Sequence, residues 1–423
     1  RAWVAHRNRR QIVMFRRIGK WSLVALVTLV AVVTVWVAVA AVVYSPEYAW
    51  RVVSMRKSSQ ADYLERFPLS VLSASTDPFI FETATDEERV RSGFESIFEV
   101  DDFDAFLAAQ DTQAFIVIEN GKIVYEGYFN GAERDSMLTS FSVAKSFDSA
   151  LIGIAIDEGY IDSVDDPITD YLPELAQRDD RFAAITIRDV LLMASGLDYQ
   201  EIRWGLFNGD DPLTTYGLDQ RRLALENTTI IDPPGEYFSY NKYHPQLLGM
   251  ILERVTGMSV TEYTQTRLWD RVGMEFDGAW ALDSETSGFE KMEAGLNARA
   301  IDYAKLGRLF LTGGVWNGEQ VVSGDWIRAS TSLDPSTHYP DYYPDHWGQI
   351  VYADGGGYYK YMWYGAVRDT GEYDFYAVGD HGQYLYVSPA AHMVIVRNGT
   401  EFGIPSEDWT DAFYEFAGVE RDA

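Results

Sequence analysis

The 423-residue chain contains no cysteine. That removes disulfides, thiolate nucleophiles, iron–sulfur clusters and cysteine-ligated zinc from its chemistry. Histidine is scarce: only His6, His244, His338, His346, His381 and His392 are present, and no two stand in an H-E-x-x-H or similar ligand spacing. This speaks against a metalloenzyme. Positive charge is also in deficit, with 35 Lys and Arg against 64 Asp and Glu, a net charge of −29. Such a surface repels nucleic-acid phosphate and anionic lipid, and beyond that it is simply a well-solvated one. No Gly-x-Ser-x-Gly is found. Gly355-Gly356-Gly357 lacks the later glycine of a nucleotide-binding loop and sits among aromatics. There is no internal repeat and no low-complexity linker. The 47% hydrophobic and 14% aromatic content is that of a folded protein. The length suits about two to three folding units.

The one long hydrophobic run lies near the start. Trp21 to Tyr44 carries no charged side chain, and a helix of about 20 apolar residues crosses a bilayer core. Arg7, Arg9, Arg10, Arg16, Arg17 and Lys20 precede it, while only the sparser Arg51, Arg56 and Lys57 follow. This asymmetry predicts residues 1–20 as a cytoplasmic basic N-terminus and 21–44 as a single transmembrane helix. Everything after Tyr44 is then extracytoplasmic, periplasmic in a bacterial cell. A cleaved signal peptide is the alternative, with Ala38-Val39-Ala40 as a cleavage site. The run exceeds the usual h-region of about 7–15 residues, which favours a retained anchor.

Residues 45–110 read as a juxtamembrane lead-in, with a helix-like acidic stretch from Thr85 to Gln110, that packs on the main domain over 111–423. Two β-rich runs flank Asn120-Gly121, a strong hairpin signal. Ser142 to Glu158 is helical and apolar nearly all round, as befits a domain interior, with Gly159 as a left-handed stop. A helical and loop-rich stretch follows over 160–300. It includes short helices at Ile187–Ala194 and Pro245–Val255 and loops at Glu201–Asp232 and Glu275–Arg299. A helix is expected at Ala300–Leu311. Thr337 to Tyr364, rich in Gly, Tyr and Trp, suggests a lid or cleft wall. Strands return at Tyr373–Val378, Gln383–Val387 and Met393–Arg397. Strands at both ends of a domain usually meet in one sheet. The expected fold is therefore α/β of the α+β type: an antiparallel sheet flanked by helices, with a helical insertion and one N-terminal membrane helix.

A serine hydroxyl becomes a nucleophile when a base takes its proton. Ser-x-x-Lys supplies one, because residues three apart share a helix face, and burial disfavours the charged amine. The pattern occurs three times, at Ser54–Lys57, Ser142–Lys145 and Ser239–Lys242. Only Ser142 opens a long buried helix, whose free N–H groups and dipole also stabilise an oxyanion.

Thr139-Ser140-Phe141-Ser142-Val143-Ala144-Lys145-Ser146, the Gly153–Ile161 block, Asp165-Asp166-Pro167 and Tyr171-Leu172-Pro173-Glu174-Leu175 resemble the β-lactamase-related serine hydrolases. That family includes class C β-lactamases, DD-peptidases, family VIII esterases and 6-aminohexanoate-dimer hydrolases. Ile185–Leu197, Pro234–Tyr240 and Leu247–Gly257 match in the same order, and the resemblance spans roughly Ala114 to Thr400. It implies a β-lactamase/DD-peptidase-like fold, an acyl-enzyme on Ser142, and proton transfer by Lys145 and by Tyr240 of a Tyr-x-Asn motif. Lys242 replaces the asparagine of that motif. Asp380-His381-Gly382 stands where Lys-Thr-Gly is expected, so only the glycine matches. By position the oxyanion hole falls to the amides of Ser142 and Gln383, and Lys242, Asp380, His381 and Gly382 line the substrate side. These departures point to a carboxylic ester or small amide rather than a β-lactam, with no cofactor. They also motivate an alternative, a non-catalytic membrane-tethered binding or assembly subunit on the same fold.

Overall fold

A computed structural model describes residues 2–55, 60–201, 208–352 and 355–418. They fall into two compact units. The first holds the helix Ala2–Val43, the short helix Pro46–Ser54 and the helix Asp210–Tyr216. Ser22–Val43 has a mean hydropathy of 2.8 and is long and apolar enough to cross a membrane. Ser45 ends that run by capping the next helix, its Oγ accepting from the Tyr48 amide at 2.9 Å. Tyr216 Oη donates to the Met55 carbonyl at 2.8 Å. Lys57, the partner of Ser54 in one Ser-x-x-Lys pattern, lies outside the described residues.

The second unit is built on an eight-stranded sheet. Its strands are β1 (Glu82–Thr83), β2 (Thr112–Glu119), β3 (Lys122–Tyr128), β4 (Gly357–Lys360), β5 (Trp363–Val367), β6 (Tyr373–Gly379), β7 (Gln383–Ser388) and β8 (Met393–Gly399). The spatial order is β4-β5-β6-β7-β8-β2-β3-β1, antiparallel except where β1 meets β3. Early and late strands thus share one sheet through the β8–β2 pairing, as expected from their places in the chain. The β2–β3 turn is the Asn120-Gly121 hairpin, with φ of 52° and 76° as a type I′ turn needs.

Period-2 alternation sends neighbouring side chains to opposite faces. Ile116, Ile118, Leu385, Val387, Val394 and Val396 pack on one face under the helices Ala144–Asp157, Tyr243–Thr256 and Ala300–Leu311. Phe115, Val117, Tyr384, Tyr386, Met393 and Ile395 pack on the other, with Val90, Phe94, Phe103 and Leu107 and with Trp409, Phe413 and Phe416 of the C-terminal helix Ser406–Gly418. Helices Glu87–Phe98 and Phe103–Ala109, in the stretch read as a lead-in, are therefore core of this unit. A second sheet joins Leu69–Leu72, Gly278–Ala281, Leu296–Ala298 and Leu138–Thr139 in that order. Two of its strands lie in Glu275–Arg299, expected as loop. Each has only three or four residues, too short for periodicity to register.

Among the described residues one histidine is fully enclosed by the core. His244 of Tyr243–Thr256 is buried, with Nε2 2.6 Å from Ser195 Oγ. Burial lowers its pKa from 6.5 to about 3. Below pH 6.5 the unfolded chain binds a proton that the folded chain refuses, so this group's contribution is full above pH 6.5 and declines as pH falls toward 3. The slope is about 1.4 kcal/mol per pH unit. His244→Asn should flatten the fall in folding free energy between pH 6.5 and about 4 by that amount, as read by urea denaturation; an unchanged slope would contradict it.

Candidate active site

The chain leaves strand Leu138–Thr139, makes a 3₁₀ turn over Phe141–Val143 and enters the helix Ala144–Asp157. Ser142 sits in the turn, just before the α-helix, and is half-buried while Val143 through Ala155 are buried. Phe141 has φ of 45°, a left-handed conformation that a bulky residue adopts only when its surroundings hold it there. The Tyr63 ring at 5.1 Å and the His381 ring at 4.9 Å hold it.

Lys145 is 1% exposed, and its Nζ donates to Ser142 Oγ at 2.9 Å and to the Glu293 carbonyl at 2.7 Å. The small sheet brings Glu293 there: Leu296–Ala298 pairs with Leu138–Thr139, and the Ser140 amide donates to the Leu296 carbonyl. The Glu293 side chain pairs with Lys291 at 2.5 Å, both buried. One turn beyond Lys145, Asp148 is fully buried, and its carboxyl has no hydrogen-bond partner among the described residues. Burial raises its pKa well above the usual range, opposed by Lys145 and reinforced by Glu293.

Tyr240 follows the Pro233-Pro234-Gly235 turn, and its ring centroid lies 5.0 Å from Lys145 Nζ. The phenol interacts with Tyr364 of β5, whose own pKa is raised by burial and then by Tyr240. Among the described residues no hydrogen bond joins Tyr240 to Ser142. Ser142, Lys145 and Tyr240 are nevertheless gathered at one point from segments far apart in the sequence.

The third predicted motif is placed differently. His381 and Gly382 form the β6–β7 turn with φ of 57° and 78°. Asp380 is exposed, and its Oδ1 accepts from the His381 amide at 2.9 Å. His381 Nδ1 lies 3.0 Å from the Thr400 carbonyl, so the imidazole braces the turn that carries Ser142 through Phe141. Gly382 faces Arg397: a Cβ there would stand 2.0 Å from Nη1. Gln383 opens β7, and its side chain ties the turn together, donating to the carbonyls of Gly399, His381 and Asp380 and accepting from Asn398. Gly379, the end of β6 and the partner of Gln383, closely approaches the turn that carries Ser142. A Cβ on Gly379 would lie 2.4 Å from the Ser140 carbonyl and 3.1 Å from the Ser142 amide nitrogen. Lys242 occupies the N-cap of Tyr243–Thr256.

Sequence reasoning missed Gly379, Glu293 and Asp148. Asp148 alone carried a signal, an acidic residue one helical turn from Lys145. Tyr240 also borders a cavity of about 480 Å³, walled by Phe238, Trp347 and Ile350, by Tyr364 and Ala366 of β5, by Tyr376 and Val378 of β6 and by the C-terminal helix. Its charged lining side chains are Glu407 and Asp411, with no basic one among the described residues. Gly379→Ala should force the turn carrying Ser142 outward, because the nearest atom it meets, the Ser140 carbonyl oxygen, is backbone. The expected result is a loss of about 1–3 kcal/mol in stability and a fall of roughly 10²-fold in the rate of fluorophosphonate labelling. Wild-type labelling and melting temperature in this variant would refute the close approach.

A family model described as Beta-lactamase matches residues 103–413. The 6-aminohexanoate-dimer hydrolase of Paenarthrobacter ureafaciens is 29% identical over 303 residues, 68% of this chain and 72% of that protein. Penicillin-binding protein 4 of Amycolatopsis lactamdurans is 27% identical over 324 residues, 70% of this chain and 80% of its own. Among solved structures, a Bacillus anthracis protein provisionally described as a 6-aminohexanoate-dimer hydrolase superposes with a TM-score of 0.68 at 25% identity, covering 84% of this chain and 92% of that one. A class C beta-lactamase shares the fold with a TM-score of 0.57 at 15% identity, covering 81% of this chain and all of that one. With the model matching well over half its length, the chain belongs to the Beta-lactamase family, a family of serine hydrolases.

Proposed function

We propose that the protein is a membrane-anchored serine hydrolase that cleaves a carboxylic ester or small amide through an acyl-enzyme on Ser142. The observation that carries this reading is the 2.9 Å contact between the buried Lys145 Nζ and the half-buried Ser142 Oγ. In this reading Ser142 Oγ attacks the carbonyl carbon as Lys145 takes its proton. The Glu293 carbonyl keeps the amine aimed at the hydroxyl. The carbonyl oxygen, now negative, is held by the Ser142 amide and the backbone at the Gly379 end of β6. Tyr240, beside Lys145, returns a proton to the departing alkoxide or amine, and the C–O or C–N bond breaks. Water then attacks the acyl-serine, with the same groups moving the proton, and the acid is released.

A substrate bearing a carboxylate beside the scissile bond finds no basic partner among the described residues of the adjoining cavity, where the charges are Glu407 and Asp411. This supports neutral esters and amides over β-lactams. The single apolar helix Ser22–Val43 supports a membrane tether, with the catalytic unit on the extracytoplasmic side by the charge bias of the N-terminus.

A fluorophosphonate probe should label the wild type and not Ser142→Ala. Lys145→Ala should slow labelling roughly 10²–10⁴-fold, and Tyr240→Phe should lower ester turnover more than labelling. Probe-resistant wild-type protein, or labelling that survives in Ser142→Ala, would end the hydrolase reading and leave a binding role on this fold. Retention of the full chain in the membrane fraction after alkaline carbonate washing, with release of a chain lacking residues 1–44, checks the tether; full-length chain in the supernatant would contradict it.

A further inference from the structure

A cavity adjoins the Lys145 cluster through Tyr240. Resting on the hydrolase reading above, we infer that it receives the leaving-group side of the substrate, and that this side is a large uncharged apolar group, alkyl or aryl.

Three observations support this assignment. Tyr240 is common to the cavity wall and to the cluster around Lys145, with its ring 5.0 Å from Lys145 Nζ. If Tyr240 returns the proton to the departing atom, that atom lies at Tyr240, and whatever is bonded to it continues into the space that Tyr240 lines. The volume of about 480 Å³ is in the range of small-molecule sites. Its walls are chiefly aromatic and aliphatic. Tyr364, Tyr376 and Tyr386 stand in a row across β5, β6 and β7, with adjacent centroids 5.6 and 5.9 Å apart and planes within 12° and 17° of parallel. Trp347 and Ile350 face them from the helix His346–Val351.

The mouth is apolar as well. Trp347 is 45% exposed and Ile350 47%, though both also line the cavity. These two side chains carry the apolar lining of the cavity out to solvent. Glu407 and Asp411, on the C-terminal helix, repel a carboxylate-bearing arm. An apolar arm gains by leaving water, and each additional buried methylene multiplies affinity about fourfold. Ala366, small and on the wall, leaves room that a larger side chain would take.

The test separates the two sides of the scissile bond. Acetate esters of ethanol, butanol, octanol and 3-phenylpropanol vary the leaving group while the acyl group and the chemistry stay constant. Ethyl esters of acetic, butyric and octanoic acids vary the acyl group instead. With the full chain, kcat/KM should rise by roughly 10-fold or more from ethyl to octyl acetate and less steeply along the acyl series. Ala366→Phe should reduce the ratio of octyl to ethyl acetate kcat/KM by roughly 10-fold or more, chiefly through KM. Trp347→Ala should reduce the same ratio as a second variant on the opposite wall of the cavity. A flat alcohol series, a steeper acyl series, or a ratio unmoved in both variants would overturn the inference. If Ser142 is labelled by fluorophosphonate and these results still fail, the inference alone falls. If Ser142 is not labelled and no ester is turned over, the hydrolase reading falls and takes the inference with it.

Discussion

The structure depends on burying an amine against a hydroxyl. Removing Lys145 from water is costly unless its nitrogen keeps hydrogen-bond partners. It has two, the Ser142 hydroxyl one turn away and the Glu293 carbonyl 148 residues further along the chain. The first follows from helical geometry. The second requires the small sheet to hold the 290–296 segment beside the Ser142 turn, and it places the buried Lys291–Glu293 pair close by. The helix can accept such a lysine because the large sheet and the helices packed on it enclose it.

A second constraint is the turn that carries Ser142. Phe141, with its φ of 45°, costs of order 1–3 kcal/mol, offset by the packing that surrounds it. The β6–β7 turn contributes on two levels. Gly379 lets the end of β6 approach the Ser142 amide, and His381 packs on Phe141. Gln383 and Arg397 fasten the turn from behind, the first through three carbonyls and the second through the Gly382 carbonyl at 2.7 Å. The motif residues around the turn thus act largely through backbone position, with the glycines set by what lies against them.

Much of the architecture was legible because its signals are local. Asn120-Gly121 turns as its positive φ angles require, and Ala300–Leu311 is helical over the expected span. The strand returns after residue 372 were readable from their β-branched and aromatic residues and from the Ser388-Pro389 turn. Boundaries moved where neighbours decided them: the helix expected over Ile187–Ala194 ends at Leu191, and Met193 adopts a φ of 56°. The strands within Glu275–Arg299 were illegible because three or four residues carry no period. In the site, Gly382 suggested close ligand approach but is occupied by Arg397, and the contact with Ser142 falls on Gly379. A motif aligned by sequence distance cannot tell which of two glycines in one hairpin faces which neighbour.

Taken alone, the sequence determined whatever depends on residues within a few positions of each other. It identified an apolar span long enough for a membrane, the hairpin and helix elements, and a lysine one helical turn from a serine. It also set Ser142 apart from the other two occurrences of the same pattern, because only Ser142 is followed by a helix whose composition is apolar, and that helix is buried. Only the tertiary structure decided which distant groups meet Lys145 and Ser142. Glu293, Tyr240 and Gly379 come from three separate segments, brought together by strand pairings and helix packing across the chain. The cavity beside Tyr240 exists only between such segments. Distances of that kind are set by the energy of the whole core, and no short window of sequence contains it.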